Sequence, residues 1–182
     1  MGKPYICVLN KTLMTNKTII RSNVNPLRIR ELLLAGRSVL TFRNPKTGSH
    51  MTVKVKQARD KKDRKKRLPI FFVNVSLLGD SEYGYRFAGT IFSQTGTMKL
   101  GRDVQPSSQL GRVMQFLMNS LGNPQSLKDA NVSVMHEGHC CRCGLPLTHP
   151  ESINTGFGPD CIKLVLAELK NKVSAEDFFE RI

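Results

Sequence analysis

Four of the five cysteines sit in one short segment, at positions 140, 141, 143 and 161, while Cys7 stands far away. Thiols gathered so closely restrict the local fold more than any other feature of this chain. In a reducing compartment such clustering favours metal binding over disulfides. Cys140 and Cys143 form C-x-x-C, a pair whose backbone can wrap one ion with both sulfurs on the same side. Gly144 follows at once, where a tight knuckle needs a positive φ. The run Gly156, Gly158 and Pro159 then sets Cys161 at the start of a helix, where free N–H groups and the helix dipole favour a thiolate. A knuckle joined to a helix N-terminus is the geometry of treble-clef-like fingers.

A closed tetrahedral zinc site takes four donors, so three thiolates call for one more. The candidates are His136, His139, His149 and Cys141. His139 and Cys141 each adjoin Cys140, and adjacent residues rarely reach one ion without strain. His136, one short turn before the knuckle, is the first choice, and His149 is the second. The expected site is therefore one structural Zn²⁺ on Cys140, Cys143, Cys161 and His136. Its net charge would be −1, which Arg142 can offset from outside the ligand shell. Free thiols in a loop would leave the clustering unexplained. A thioredoxin-like C-x-x-C would need a preceding strand and a βαβ setting.

The spacing Cys140-x-x-Cys143-Gly144-x-x-Leu147-Thr148-x-Pro150-x-Ser152-Ile153-x-x-Gly156-x-Gly158-Pro159-x-Cys161 resembles an uncharacterised zinc-finger family found largely in bacteriophages. The likeness covers about residues 136–161. Upstream, Thr47-Gly48 and Phe87-Ala-Gly89-Thr-Ile91 match the family loosely. Position 145 is Leu where the family often carries Arg, which removes one basic side chain. The resemblance implies a metal-binding fold and a phage or mobile-element origin. It implies no activity.

The remaining sequence reads as α+β, an antiparallel sheet packed by helices. Residues 4–10 suit a first strand with Cys7 inside it. Asn25 can cap a short helix that Pro26 opens and Gly36 ends. Residues 38–43 and 51–56 form a hairpin across the turn 44–48. Residues 70–76 and 85–92 form a second strand pair around a turn at 78–82. Leu110, Val113, Met114, Leu117, Met118 and Leu121 recur at helical spacing after a cap at Ser107 or Ser108. A further helix spans 161–171, and Ser174-Ala-Glu-Asp177 resembles a capping box. The expected division is a basic α+β domain over 1–130, with a mobile basic loop at 57–68, and a zinc-finger module over 131–182.

The net charge of +14 in 182 residues attracts polyanions, and nucleic acid is the commonest inside a cell. The segment from Lys54 to Arg67 carries half of that excess. It holds Lys54, Lys56, Arg59, Lys61, Lys62, Arg64, Lys65, Lys66 and Arg67 against two acids, Asp60 and Asp63. These nine cations are the candidate phosphate contacts. Phe71, Phe72, Tyr83, Tyr85 and Phe87 lie nearby. They are read first as core, since large apolar side chains are usually buried, and second as stacking faces for unpaired bases.

Known catalytic patterns do not fit. The zinc deaminases need H-x-E and P-C-x-x-C, but His136-Glu137 are adjacent and His139 precedes Cys140. H-E-x-x-H would need His at position 140, and neither a P-loop nor a nucleophile elbow occurs. The expected function is a non-enzymatic nucleic-acid-binding protein, with single-stranded DNA or RNA fitting as well as duplex. The alternatives are a protein-binding subunit of a larger complex and, behind it, a metal-dependent nuclease using His149 or Asp160. Apolar runs such as Leu32–Ala35 are far too short to cross a bilayer, Met1-Gly2-Lys3-Pro4 begins no signal peptide, and Ile6 argues against myristoylation. The expected location is therefore cytoplasmic.

Overall fold

The computed structural model describes residues 21–76 and 84–171. The expected strand at 4–10, the turn at 78–82 and the capping box at 174–177 lie outside them.

Among the described residues, seven antiparallel strands form one sheet: β1 (Ser22–Val24), β2 (Arg37–Arg43), β3 (His50–Arg59), β4 (Arg67–Ser76), β5 (Arg86–Phe92), β6 (Thr97–Leu100) and β7 (Ser133–His136). Their order is β1-β7-β2-β3-β4-β5-β6. β2 to β6 run as a meander, and β7 returns late in the chain to sit between β1 and β2. The strand pairs of both expected hairpins are present. Side chains alternate across the sheet. Leu40, Phe42, Val53, Val55, Phe71, Val73 and Val75 point to the buried face.

That face is covered chiefly by α1 (Ile29–Leu33) and α2 (Gln109–Gly122). Asn25 accepts from the Leu27 N–H at 3.1 Å, and Pro26–Arg28 makes the 3₁₀ turn that leads into α1. Ser108 caps α2 through the Gly111 N–H at 3.1 Å. Every residue of the expected apolar stripe on α2 is buried. Phe116 of α2 meets Phe42 of β2 edge to face, with ring centroids 5.5 Å apart. Arg30 closes the other end of α2 by donating to the carbonyls of Leu121 at 2.6 Å and Gly122 at 2.9 Å. Three further helices follow: α3 (Gln125–Asp129), α4 (Pro150–Thr155) and α5 (Pro159–Asn171).

The boundary expected at residue 130 does not separate two sheets. β7 comes from the cysteine-bearing part of the chain, yet Leu40 pairs with His136 and Val24 with Val134. Cys141, Phe157 and Val165 also lie in the same apolar core as the helices over the sheet.

Candidate functional site

The sulfurs of Cys140, Cys143 and Cys161 all lie within 4.8 Å of one another. A tight hairpin positions the first two. Leu147 N–H bonds Gly138 O, Cys140 N–H bonds Leu145 O, and Gly144 N–H bonds Cys140 O, each at 2.8 Å. Gly144 has φ 81°, the left-handed conformation that a glycine adopts without strain. α5 supplies the third sulfur from its first turn, after Pro159 at the opening position. Phe157, buried in the core, anchors the approach to that helix, and the Arg28 guanidinium lies 5.9 Å from its ring.

The electrostatics of the three thiols suit a cation. Burial pushes the Cys140 thiol up, but the backbone N–H groups of Cys143, Gly158 and Arg142 point at its sulfur and bring the net pKa below its ordinary value. Cys161 is pushed up to about 12 by burial, by its hydrogen bond with Cys143 and by the charge on Cys140. One thiolate is thus welcome and further ones repel each other, a conflict that a bound metal ion removes. Zn–S bonds of 2.3 Å in a tetrahedron put sulfurs about 3.8 Å apart, so the cluster can close on one ion with little movement. Residues 140, 143 and 161 therefore form a set that can hold a metal. On binding, the metal would tie the hairpin to α5.

His136 does not join that set. It is fully buried, with its Nε2 donating to Ile153 O at 2.7 Å and its Nδ1 accepting from the Gly138 N–H at 3.0 Å. Both ring nitrogens are committed to the backbone, so His136 ties β7 to α4 instead of binding metal. Cys141 turns away from the trio into the core. A Cβ at Gly156 would lie 3.6 Å from its sulfur and 3.8 Å from His136 Cδ2. Burial, then the charge on Cys140, pushes its pKa up to about 12. His139 bonds the Glu137 carbonyl through Nδ1, and His149 is exposed at the start of α4. Arg142 makes a two-pronged ion pair with Glu168 of α5, at 2.8 and 2.6 Å, which clips the hairpin to the helix beside the cysteines.

The nine expected phosphate contacts fall into three groups. Lys54 and Lys56 are exposed on the outer face of β3. Lys61, Lys62, Arg64, Lys65 and Lys66 ride on a turn shorter and more ordered than the loop expected at 57–68. Only 60–66 lies outside the strands, and Asp60 accepts there from the N–H groups of Lys62 and Asp63, while Asp63 accepts from that of Lys65. The same two N–H groups hold the Asp60 carboxyl below its usual pKa. Arg59 and Arg67 brace this hairpin. Arg59 donates to Arg64 O at 3.0 Å, and Arg67 donates to Ala35 O and Gln57 Oε1, both at 3.2 Å. Burial, then the nearby Arg142 charge, lowers the pKa of Arg67.

Strand register adds residues that composition did not single out. Arg37, Lys56, Phe72, Thr90 and Lys99 are successive partners across β2, β3, β4, β5 and β6. They form one row over the outer face, about 19 Å long at the usual strand spacing. A second row runs Val39, Lys54, Asn74 and Phe87. Phe72 and Phe87 are 41% and 45% exposed, contrary to the reading of the aromatics as core, which holds for Phe71. Lys54 sits 5.5 Å from the Tyr85 ring. Tyr83 lies outside the described residues. Where β7 ends, the cysteine hairpin continues beside β2. Arg37, Lys54, Lys56, Glu137, His139 and Gly144 there line a cleft of about 300 Å³.

A protein-family model described as a family of unknown function, DUF6011, matches residues 130–166. That stretch contains β7, the cysteine hairpin, α4 and Cys161, so the match falls on the candidate metal centre and leaves most of the sheet outside it. No curated protein and no solved structure matches the chain. Among the described residues, no helix is long and apolar enough to cross a membrane.

Proposed function

We propose that this is a non-enzymatic nucleic-acid-binding protein in which the outer sheet face grips phosphates and a structural zinc ion holds the adjoining hairpin in place. The row of Arg37, Lys56 and Lys99 around an exposed phenylalanine carries the proposal. Four cations, counting Lys54, share one face, and the carboxylate of Glu137, which lines the cleft beside them, lies 3.8 Å from Arg21. The basic turn 60–66 extends this surface from the end of β3 and β4. Such a field attracts a phosphate backbone and releases its counterions.

Three thiols and no carboxylate in the cluster favour zinc over harder ions. A hairpin plus a helix as the sources of those thiols supports a treble-clef-like finger. With His136 held by the backbone, His149 is the other histidine candidate for the fourth donor. Catalysis finds less support, since neither His149 nor Asp160 belongs to the thiol group. The motif's resemblance to phage proteins supports a phage or mobile-element origin, with action in the host cytoplasm. A protein partner is the second reading, favoured by the exposed Leu145 on the hairpin and by Leu164 and Leu166 on α5.

Fluorescence anisotropy with labelled oligonucleotides of unrelated sequence tests the main reading. The protein should bind all of them at low salt, and Lys54→Glu with Lys56→Glu should weaken binding by tenfold or more. Failure to bind any oligonucleotide, with a stable protein partner recovered instead, would select the second reading.

A further inference from the structure

The proposed surface contains more than charge. Phe72 and Phe87 protrude from neighbouring strands with ring centroids 6.5 Å apart and planes inclined by 58°. Exposing two phenylalanines side by side costs apolar burial, and the sheet has a covered face where Phe71 finds full burial. The inclination means that the rings do not form one flat shelf. Each offers its own face. Lys56 is the cross-strand partner of Phe72, and Lys99 lies one strand beyond Thr90 in the same row. A ring with cations to either side in register matches a nucleotide, whose base is a flat π surface and whose phosphate is an anion.

Resting on the nucleic-acid reading above, we infer that the ligand is single-stranded, with unpaired bases stacked on Phe72 and Phe87. Its backbone crosses the sheet over Lys56 and Lys54 toward the cleft between Arg37 and His139, where a phosphate is held. A duplex cannot use this surface fully. Its base faces are stacked inside the helix, where Phe72 and Phe87 cannot stack on them. A peptide ligand would have to combine acidic with aromatic or apolar side chains at this particular spacing, whereas every unpaired nucleotide carries both an anion and a flat π surface.

The test compares a labelled twelve-nucleotide single strand, as DNA and as RNA, with a hairpin duplex of the same sequence. Wild-type protein should prefer the single strand by at least tenfold. Phe72→Ala or Phe87→Ala should cost single-strand affinity roughly five- to hundredfold each, the range for loss of a stacked base, and leave duplex binding unchanged. Phe72→Trp should retain single-strand binding. Melting curves and metal content establish that each variant is folded; if an alanine variant does not fold, the wild-type preference decides. Equal binding of single strand and duplex overturns the inference while leaving the phosphate-gripping role intact, as does indifference to both alanine changes. Loss of all oligonucleotide binding in the wild type overturns both.

Discussion

His136 shows how one buried side chain can be mistaken for a ligand. Its place before the hairpin fits a zinc donor, and nothing local in the sequence reveals that the carbonyl of Ile153, seventeen positions later, receives its Nε2 proton. Burial lowers its pKa below the ordinary value of 6.5, which outweighs the opposing hydrogen bond to Ile153, and His139 adds a little repulsion. The unfolded chain therefore takes up a proton at higher pH than the native one. His136 contributes full stability above about pH 6.5, and that contribution declines as pH falls toward its lower native pKa. The melting temperature of the wild type should drop across this window. His136→Gln should reduce the drop attributable to this group while retaining bound metal. Equal pH dependence in the two proteins, at equal metal occupancy, would contradict this role. Gly156 is a second residue-scale test. Its φ of 77° ends α4, and an added Cβ would press on Leu32 at 3.0 Å. Gly156→Ala should destabilise by about 1–2 kcal/mol, read by denaturant unfolding.

Among the elements, the cysteine hairpin and α5 are clipped together by the Arg142–Glu168 pair, beside three thiols that a bound metal would join. Glu168 is partly exposed, so that pair contributes about 1 kcal/mol at most and serves as a clip beside the metal. Purified protein should contain one zinc per chain. Cys143→Ser should lose it and melt several degrees lower, whereas His136→Gln should keep it; metal analysis after dialysis distinguishes the two. Long elements were legible in the sequence because their period repeats. The α2 stripe, the hairpin at 38–56 and the strands at 70–76 and 85–92 required only alternation or helical spacing. The short β1, β6, β7 and α4 were not legible. Four residues such as Ser133–His136 hold too little pattern, and β7 exists because β1 and β2 leave it a place to pair.

For the molecule as a whole, β7, far along the chain, joins the sheet between β1 and β2, and this sets the cysteine hairpin beside the basic rows. The sequence showed where charge was concentrated but not how it is distributed in space. Of the nine cations between Lys54 and Arg67, Arg59 and Arg67 brace the hairpin, while Arg37 and Lys99, far apart in the chain, share a row with Lys56. On the proposed reading, that outer face is the working surface and the metal is its support. The salt dependence of single-strand binding tests it most directly, comparing wild type with Lys54→Gln/Lys56→Gln/Lys99→Gln. If the three lysines meet phosphates, the slope of log K against log salt should become shallower by about 2, at roughly 0.7 per contact. An unchanged slope in a folded, zinc-loaded variant would place the phosphates elsewhere and contradict the account.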